Sequence, residues 1–158
     1  PEQPVTGVRY RLPRWLNDGK RLVALSDEGG EEAFIVWEAG SQQPPVRLEG
    51  LDIGRPVDLA INPRKDQLAF SNHRYELLVL DLESRELRLV DRGKADRIAG
   101  FNWSPDGEWL AYLQRFDGFT FDEIDRPRIS NDRVINAGRS TVVNLLNLKG
   151  QGADLFII

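Results

Sequence analysis

The sequence predicts an all-β protein of about three four-stranded antiparallel β-propeller blades, a partial propeller with a long loop inserted in the third blade. Three observations carry that prediction. A short segment recurs along the chain, and its aligned positions Trp15, Ile61 and Trp103 fall 46 and 42 residues apart, the length of four short strands with their turns. Each copy holds a tight-turn signal followed by an apolar strand. Between residues 12 and 112 no segment carries a helical period.

The first copy is Arg14 to Leu25, with Asn17-Asp18-Gly19 as its turn. The clearest is Phe101 to Tyr112, turning at Ser104-Pro105-Asp106-Gly107; Leu59 to Phe70 is a degenerate middle copy. Proline presets φ, aspartate bonds its own backbone, and glycine takes positive φ without a Cβ clash. The strands that follow are Leu22 to Leu25, Leu68 to Phe70 and Trp109 to Tyr112. Ala24, Ala69 and Ala111 read as one small position suited to close packing.

The remaining elements follow in order. In the first unit Asp27-Glu28-Gly29-Gly30 is a turn, Phe34 to Trp37 the third strand, and Val46 to Leu48 a short fourth. In the second, Asn72-His73-Arg74 turns the chain, Leu77 to Leu80 is the third strand, and Leu87 to Val90 is a half-buried fourth with alternating Leu87, Arg88 and Leu89. In the third unit Leu113 to Arg139 intervene. Thr141 to Leu148, Lys149 to Gly152 and Ala153 to Ile158 then read as third strand, turn and fourth strand; the rival is a tail belonging to another part of a longer protein or to unrelated sequence. The expected units are about 12–50, 54–91 and 98–158, with an insertion at 113–140.

Composition narrows the function classes. Hydrophobic residues make up 41% and charged residues 29%, an ordinary globular balance with enough apolar material for a core. Net charge is −4 and no Lys/Arg run stands out, so nucleic acid is not an expected partner. The chain has no cysteine, which removes disulfides, thiolate metal sites and a cysteine nucleophile. No stretch approaches a membrane span, and Pro1-Glu2-Gln3-Pro4 does not read as a signal peptide. A chain that starts at Pro1 and lacks Met altogether is expected to be trimmed or a piece of a longer protein.

Trp103-Ser104-Pro105-Asp106-Gly107-Glu108-Trp109-Leu110-Ala111-Tyr112 resembles the repeat shared by TolB-like propellers and tricorn-type proteases. Arg14 to Glu32, Arg47 to Pro56, Ser71 to Arg74 and Glu76 to Leu78 look like the N-terminal propeller region of bacterial tricorn proteases, a likeness covering roughly residues 8 to 112. That resemblance implies a module of a large cytoplasmic serine peptidase. Such enzymes cleave peptides released by other proteases and carry a six- and a seven-bladed propeller, a PDZ domain and a separate catalytic region. The propellers filter or channel peptides, and the catalytic residues lie far downstream, so none is carried over. The alternatives are a stand-alone TolB-like protein-binding propeller, periplasmic if an upstream signal was removed, and an enzyme with its site in the unassigned tail.

The candidate sites are few. His73 is the only histidine, with Ser71 two residues away; in a turn signal and without a nucleophile elbow it reads as a structural or surface residue. Asp122, Glu123 and Asp125 read as a solvated acidic loop, since they lack the spacing of a calcium loop. Phe116, Phe119 and Phe121 read as packing the insertion down. Arg55, His73, Arg74 and Arg97 fall in connections between strands or blades, where basic loops suit peptide carboxylates. No catalytic residue, metal or cofactor is expected. The expected partners are peptides or protein, and three blades leave open faces that invite a second copy to complete the ring.

Overall fold

The computed structural model describes residues 7–93, 97–116, 140–147 and 153–157, and these form three four-stranded antiparallel sheets, each a meander in chain order. Blade 1 holds β1 (Tyr10–Trp15), β2 (Arg21–Ser26), β3 (Ala33–Glu38) and β4 (Val46–Arg47). Blade 2 holds β5 (Pro56–Ile61), β6 (Gln67–Asn72), β7 (Glu76–Asp81) and β8 (Leu87–Arg92). Blade 3 holds β9 (Ala99–Trp103), β10 (Trp109–Phe116), β11 (Ser140–Asn147) and β12 (Ala153–Ile157). There is no helix among the described residues.

The turns form for the reasons their residues supply. In blade 1, Asp18 Oδ1 accepts the amides of Lys20 and Arg21 at 2.8 and 2.9 Å. Blade 3 uses Ser104 and Asp106, whose side chains accept the amides of Trp109 and Glu108. The degenerate middle copy has neither, and Asn62 takes over: its Oδ1 accepts the Arg64 and Lys65 amides at 2.9 and 3.1 Å. The same device closes the other turns of blade 2, with Asn72 accepting from Arg74 and Glu76, and Asp81 from Glu83 and Ser84.

Blades pack face to face, and blade 2 is the middle layer. Its Leu59, Leu68, Phe70, Leu78 and Leu80 meet Leu16, Val23, Leu25 and Phe34 of blade 1. Its Ala69, Leu77 and Val79 meet Phe101, Trp103, Leu110 and Tyr112 of blade 3. A sheet covered on both faces has no polar side to show, which is why Leu77 to Leu80 is an unbroken apolar run. Phe34 and Phe70, both fully buried, cross edge-to-face with centroids 5.1 Å apart at the first interface. Polar bolts join the blades as well. The Trp103 indole donates to the Ala60 carbonyl at 3.0 Å, Asn62 Nδ2 to the Gly107 carbonyl at 2.9 Å, and Arg21 pairs with Asp66 at 2.8 Å.

Some expectations change in register. Trp15 pairs with Leu22, Ile61 with Leu68 and Trp103 with Leu110, so those three inner-strand positions are equivalent. The three alanines are not. Val23, paired with Arg14, stands where Ala69 and Ala111 stand, opposite Ala60 and Asn102. Ala24 lies one residue on and therefore faces the other way, because the side-chain period of a strand is two. Leu89, expected on the buried side of an alternating strand, is an exposed hydrophobic on the outer strand, paired with Leu78 at a register shift. Leu113 to Phe116, assigned to the insertion, continue β10 and pair with Ser140 to Val143 of β11. Asp122, Glu123, Asp125, Phe119 and Phe121 lie outside the described residues.

Tyr112 makes a further interblade contact, its hydroxyl donating to Asp91 Oδ2 at 3.0 Å. Burial and the Asp91 charge hold the phenol well above its ordinary range. An unfolded tyrosine ionises near pH ~10, while the folded one does not. Stability linked to Tyr112 is therefore present below about pH 10 and lost as pH rises above it. Tyr112→Phe should cost about 1 kcal/mol near neutrality and flatten that alkaline loss, as read by denaturant unfolding across the alkaline range.

Candidate functional site

The two ends of the stacked sheets differ. One end carries the turns after β1, β5 and β9 and those after β3 and β7. The other carries the turns after β2 and β6 and the connections from β4 to β5 and from β8 to β9. Arg55, His73, Arg74 and Arg97 all fall at this second end. Arg55 and His73 are in direct contact: the Arg55 amide donates to His73 Nδ1 at 2.9 Å, and the His73 amide donates to the Arg55 carbonyl at 3.0 Å. A ring accepting at Nδ1 carries its neutral-state proton on Nε2. No hydrogen bond joins His73 to Ser71 among the described residues. Arg97 sits in the following connection, one blade away.

Arg74 is already engaged. Its Nη atoms reach Asp52 Oδ1 and Oδ2 at 2.8 and 3.1 Å, and its Nε stands 3.0 Å from Glu76 Oε2. Glu76 is buried, with Arg92 on its other oxygen and Asn72 Nδ2 donating at 2.7 Å. Burial alone raises the Glu76 carboxyl. The hydrogen bonds from Asn72 and Arg92 and the charges of Arg74 and Arg92 outweigh it and hold the group below its ordinary value. The Arg74 hydrogen bond likewise lowers Asp52. Gly54 makes room for this cluster: at φ +60, a Cβ there would meet Asn72 Nδ2 at 2.9 Å and the Arg74 guanidinium at 3.1 Å.

Beside the cluster lies an open depression of about 510 Å³ between blades 1 and 2, lined by Arg9, Glu31, Glu32, Asp52, Gly54 and Arg55. Arg9 is paired with Asp27 at 2.8 Å. The exposed Arg55 guanidinium has no partner among the described residues. The depression thus offers one uncommitted cation among carboxylates, an arrangement that suits a ligand bearing both charges, such as a peptide terminus with its neighbours. No group of three metal-ligating side chains occurs among the described residues.

Sequence reasoning placed Arg55, His73, Arg74 and Arg97 in connections between strands or blades; the strand topology puts all four at one end, and Asp52, Glu76 and Arg92, whose ion pairs commit Arg74, were missed. Of the residues around Arg74, only Asn72 carried a signal, as a turn residue. A glutamate opening an apolar strand has no pattern that announces its partners.

No protein-family model matches the chain. Tricorn protease homolog 1 of Streptomyces coelicolor is 35% identical over 111 residues, 67% of this chain and 10% of that protein. The Tricorn protease homolog of Saccharolobus solfataricus is 29% identical over 106 residues, 67% of this chain and 9% of that protein. The chain therefore spans about a tenth of the length of these curated relatives. Among solved structures, the tricorn protease superposes with a TM-score of 0.68 at 13% identity, covering 94% of this chain and 13% of its own. The β-propeller domain of the trilobed protease from Pyrococcus furiosus gives 0.59 at 14% identity, covering 96% of this chain and 43% of its own. At those identities the likeness is one of fold.

Proposed function

Since the chain is a run of β-propeller blades related by sequence to tricorn-type proteases, we propose that it is a non-catalytic module of a longer serine peptidase that binds or gates peptide substrates in the cytoplasm. The observation that carries this reading is the relatedness over two-thirds of the chain to proteins named as tricorn protease homologs. The depression at the β4-to-β5 connection supports it: Arg55 is the cation available to a peptide carboxylate, while Arg74 serves the fold. His73 is proposed to flank that site by holding the Arg55 backbone, and Arg97, one blade away, to add a cation at the same end of the array.

The test is binding of fluorescent peptides with either a free or an amidated C-terminus. The free carboxylate is expected to bind more tightly, and Arg55→Ala to weaken it about tenfold, the equivalent of 1.4 kcal/mol. The peptide should be recovered intact. Equal affinity of Arg55→Ala and the parent chain would overturn the assignment of Arg55, and cleavage would overturn the non-catalytic reading.

A further inference from the structure

Four turns among the described residues close in one way: the amide of the fourth residue donates to the carbonyl of the first, and the fourth residue has positive φ. Gly19, Gly30 and Gly107 fill that place in three of them, at φ +66, +93 and +72. Tyr75 fills it in the fourth, donating to the Asn72 carbonyl at 3.2 Å with φ at +62. Glycine takes this conformation freely, whereas a bulky side chain there is strained. The strain is not repaid in the core, since Tyr75 belongs to neither interblade cluster. It is 40% exposed, and its hydroxyl makes no hydrogen bond among the described residues. Blade 2 is the middle layer, with a blade on each face, and this turn is still open to solvent.

The two other non-glycine residues at positive φ are placed differently. Leu12 sits at the bulge of β1 and packs on the core, and Arg85 lies in the turn after β7, at the opposite end of the array. Tyr75 closes the three-residue connection that begins at His73, and His73 is bonded to Arg55 in both directions. Its neighbours serve the fold, Arg74 through Asp52 and Glu76 through Asn72 and Arg92. Backbone strain of this kind collects at ligand sites. We propose that Tyr75 sets the specificity of this end, its ring covering an apolar side chain on the C-terminal residue of a peptide whose carboxylate Arg55 holds. A tyrosine offers a large apolar face with few rotatable bonds to immobilise. This inference rests on the peptide reading of the depression given above.

The test titrates the full chain with two fluorescent peptides, alike except that one ends in leucine and the other in glycine, both with free carboxylates. The leucine peptide is expected to bind about tenfold more tightly. Tyr75→Gly should abolish that preference and leave both the affinity for the glycine peptide and the circular dichroism unchanged, because glycine is what the other three turns use. Tyr75→Phe should keep the preference, and so should Arg85→Gly, the same change at the opposite end. Equal binding of the two peptides by the parent chain, or a preference that survives Tyr75→Gly, would overturn the proposal. So would a preference lost together with a lower unfolding midpoint, which would mean that the ring holds the turn and not the ligand. A parent chain that binds neither peptide would overturn the peptide reading itself.

Discussion

Phe70→Ala should destabilise the chain by about 3–5 kcal/mol, the largest effect expected of any single truncation. The ring is fully buried on β6, in the middle blade, and it meets the equally buried Phe34 across the first interface. Truncation removes buried aromatic area and leaves a cavity between two sheets. Rigid sheets collapse poorly into such a space, so the cavity cost adds to the transfer cost. Denaturant unfolding checks this through the midpoint. A loss below about 1 kcal/mol, the centre of the range for ordinary substitutions, would mean that blades 1 and 2 do not share this core.

Gly107→Ala should cost about 2–4 kcal/mol. Two effects combine. The residue sits at φ +72, where any Cβ is unfavourable by roughly 1–2 kcal/mol. A Cβ there would also overlap Asn62 Oδ1, which is fully buried and organises the Arg64 and Lys65 turn while its Nδ2 holds the Gly107 carbonyl. Gly19 is the control. It holds the same place in the blade 1 turn at φ +66, with nothing within 4 Å of an added Cβ. Gly19→Ala should show the backbone cost alone. Equal losses at both positions would remove the interblade role of Gly107.

The blades were legible because their turns and strands are local. Asp18 and the Ser104 to Gly107 turn carry their own acceptors and their own positive-φ residue, so the sequence announces them without help from the rest of the fold. The face each strand presents was less legible. Ala24 reads as the partner of Ala69 and Ala111, yet register turns it to the opposite face, and period-two geometry makes a one-residue slip total. Asn62 reads as part of a degraded turn and is instead a buried interblade contact. Its meaning depends on Gly107, which only the packing of blade 2 against blade 3 brings near.

The candidate site was legible in place but not in charge. Loop position put Arg55, His73, Arg74 and Arg97 in connections between strands or blades; the topology places those connections at one end, where Arg55 and His73 are hydrogen-bonded. What separates Arg55 from Arg74 is mostly long-range: Asp52 lies 22 residues from Arg74 and Arg92 reaches Glu76 across 16 residues, while only the Arg74–Glu76 pair is local. Ion pairs between strands leave no spacing in the sequence, whereas a turn does.

Face-to-face packing of successive blades is the claim on which the fold and the site both rest, and a double-mutant cycle on Phe34 and Phe70 tests it most directly. The two rings belong to different sheets and meet only if the far face of blade 1 lies on the near face of blade 2. Phe34→Leu, Phe70→Leu and the double variant should give a coupling of about 0.5–1.5 kcal/mol. Additive losses, within about 0.3–0.5 kcal/mol, would contradict the stacked-blade account.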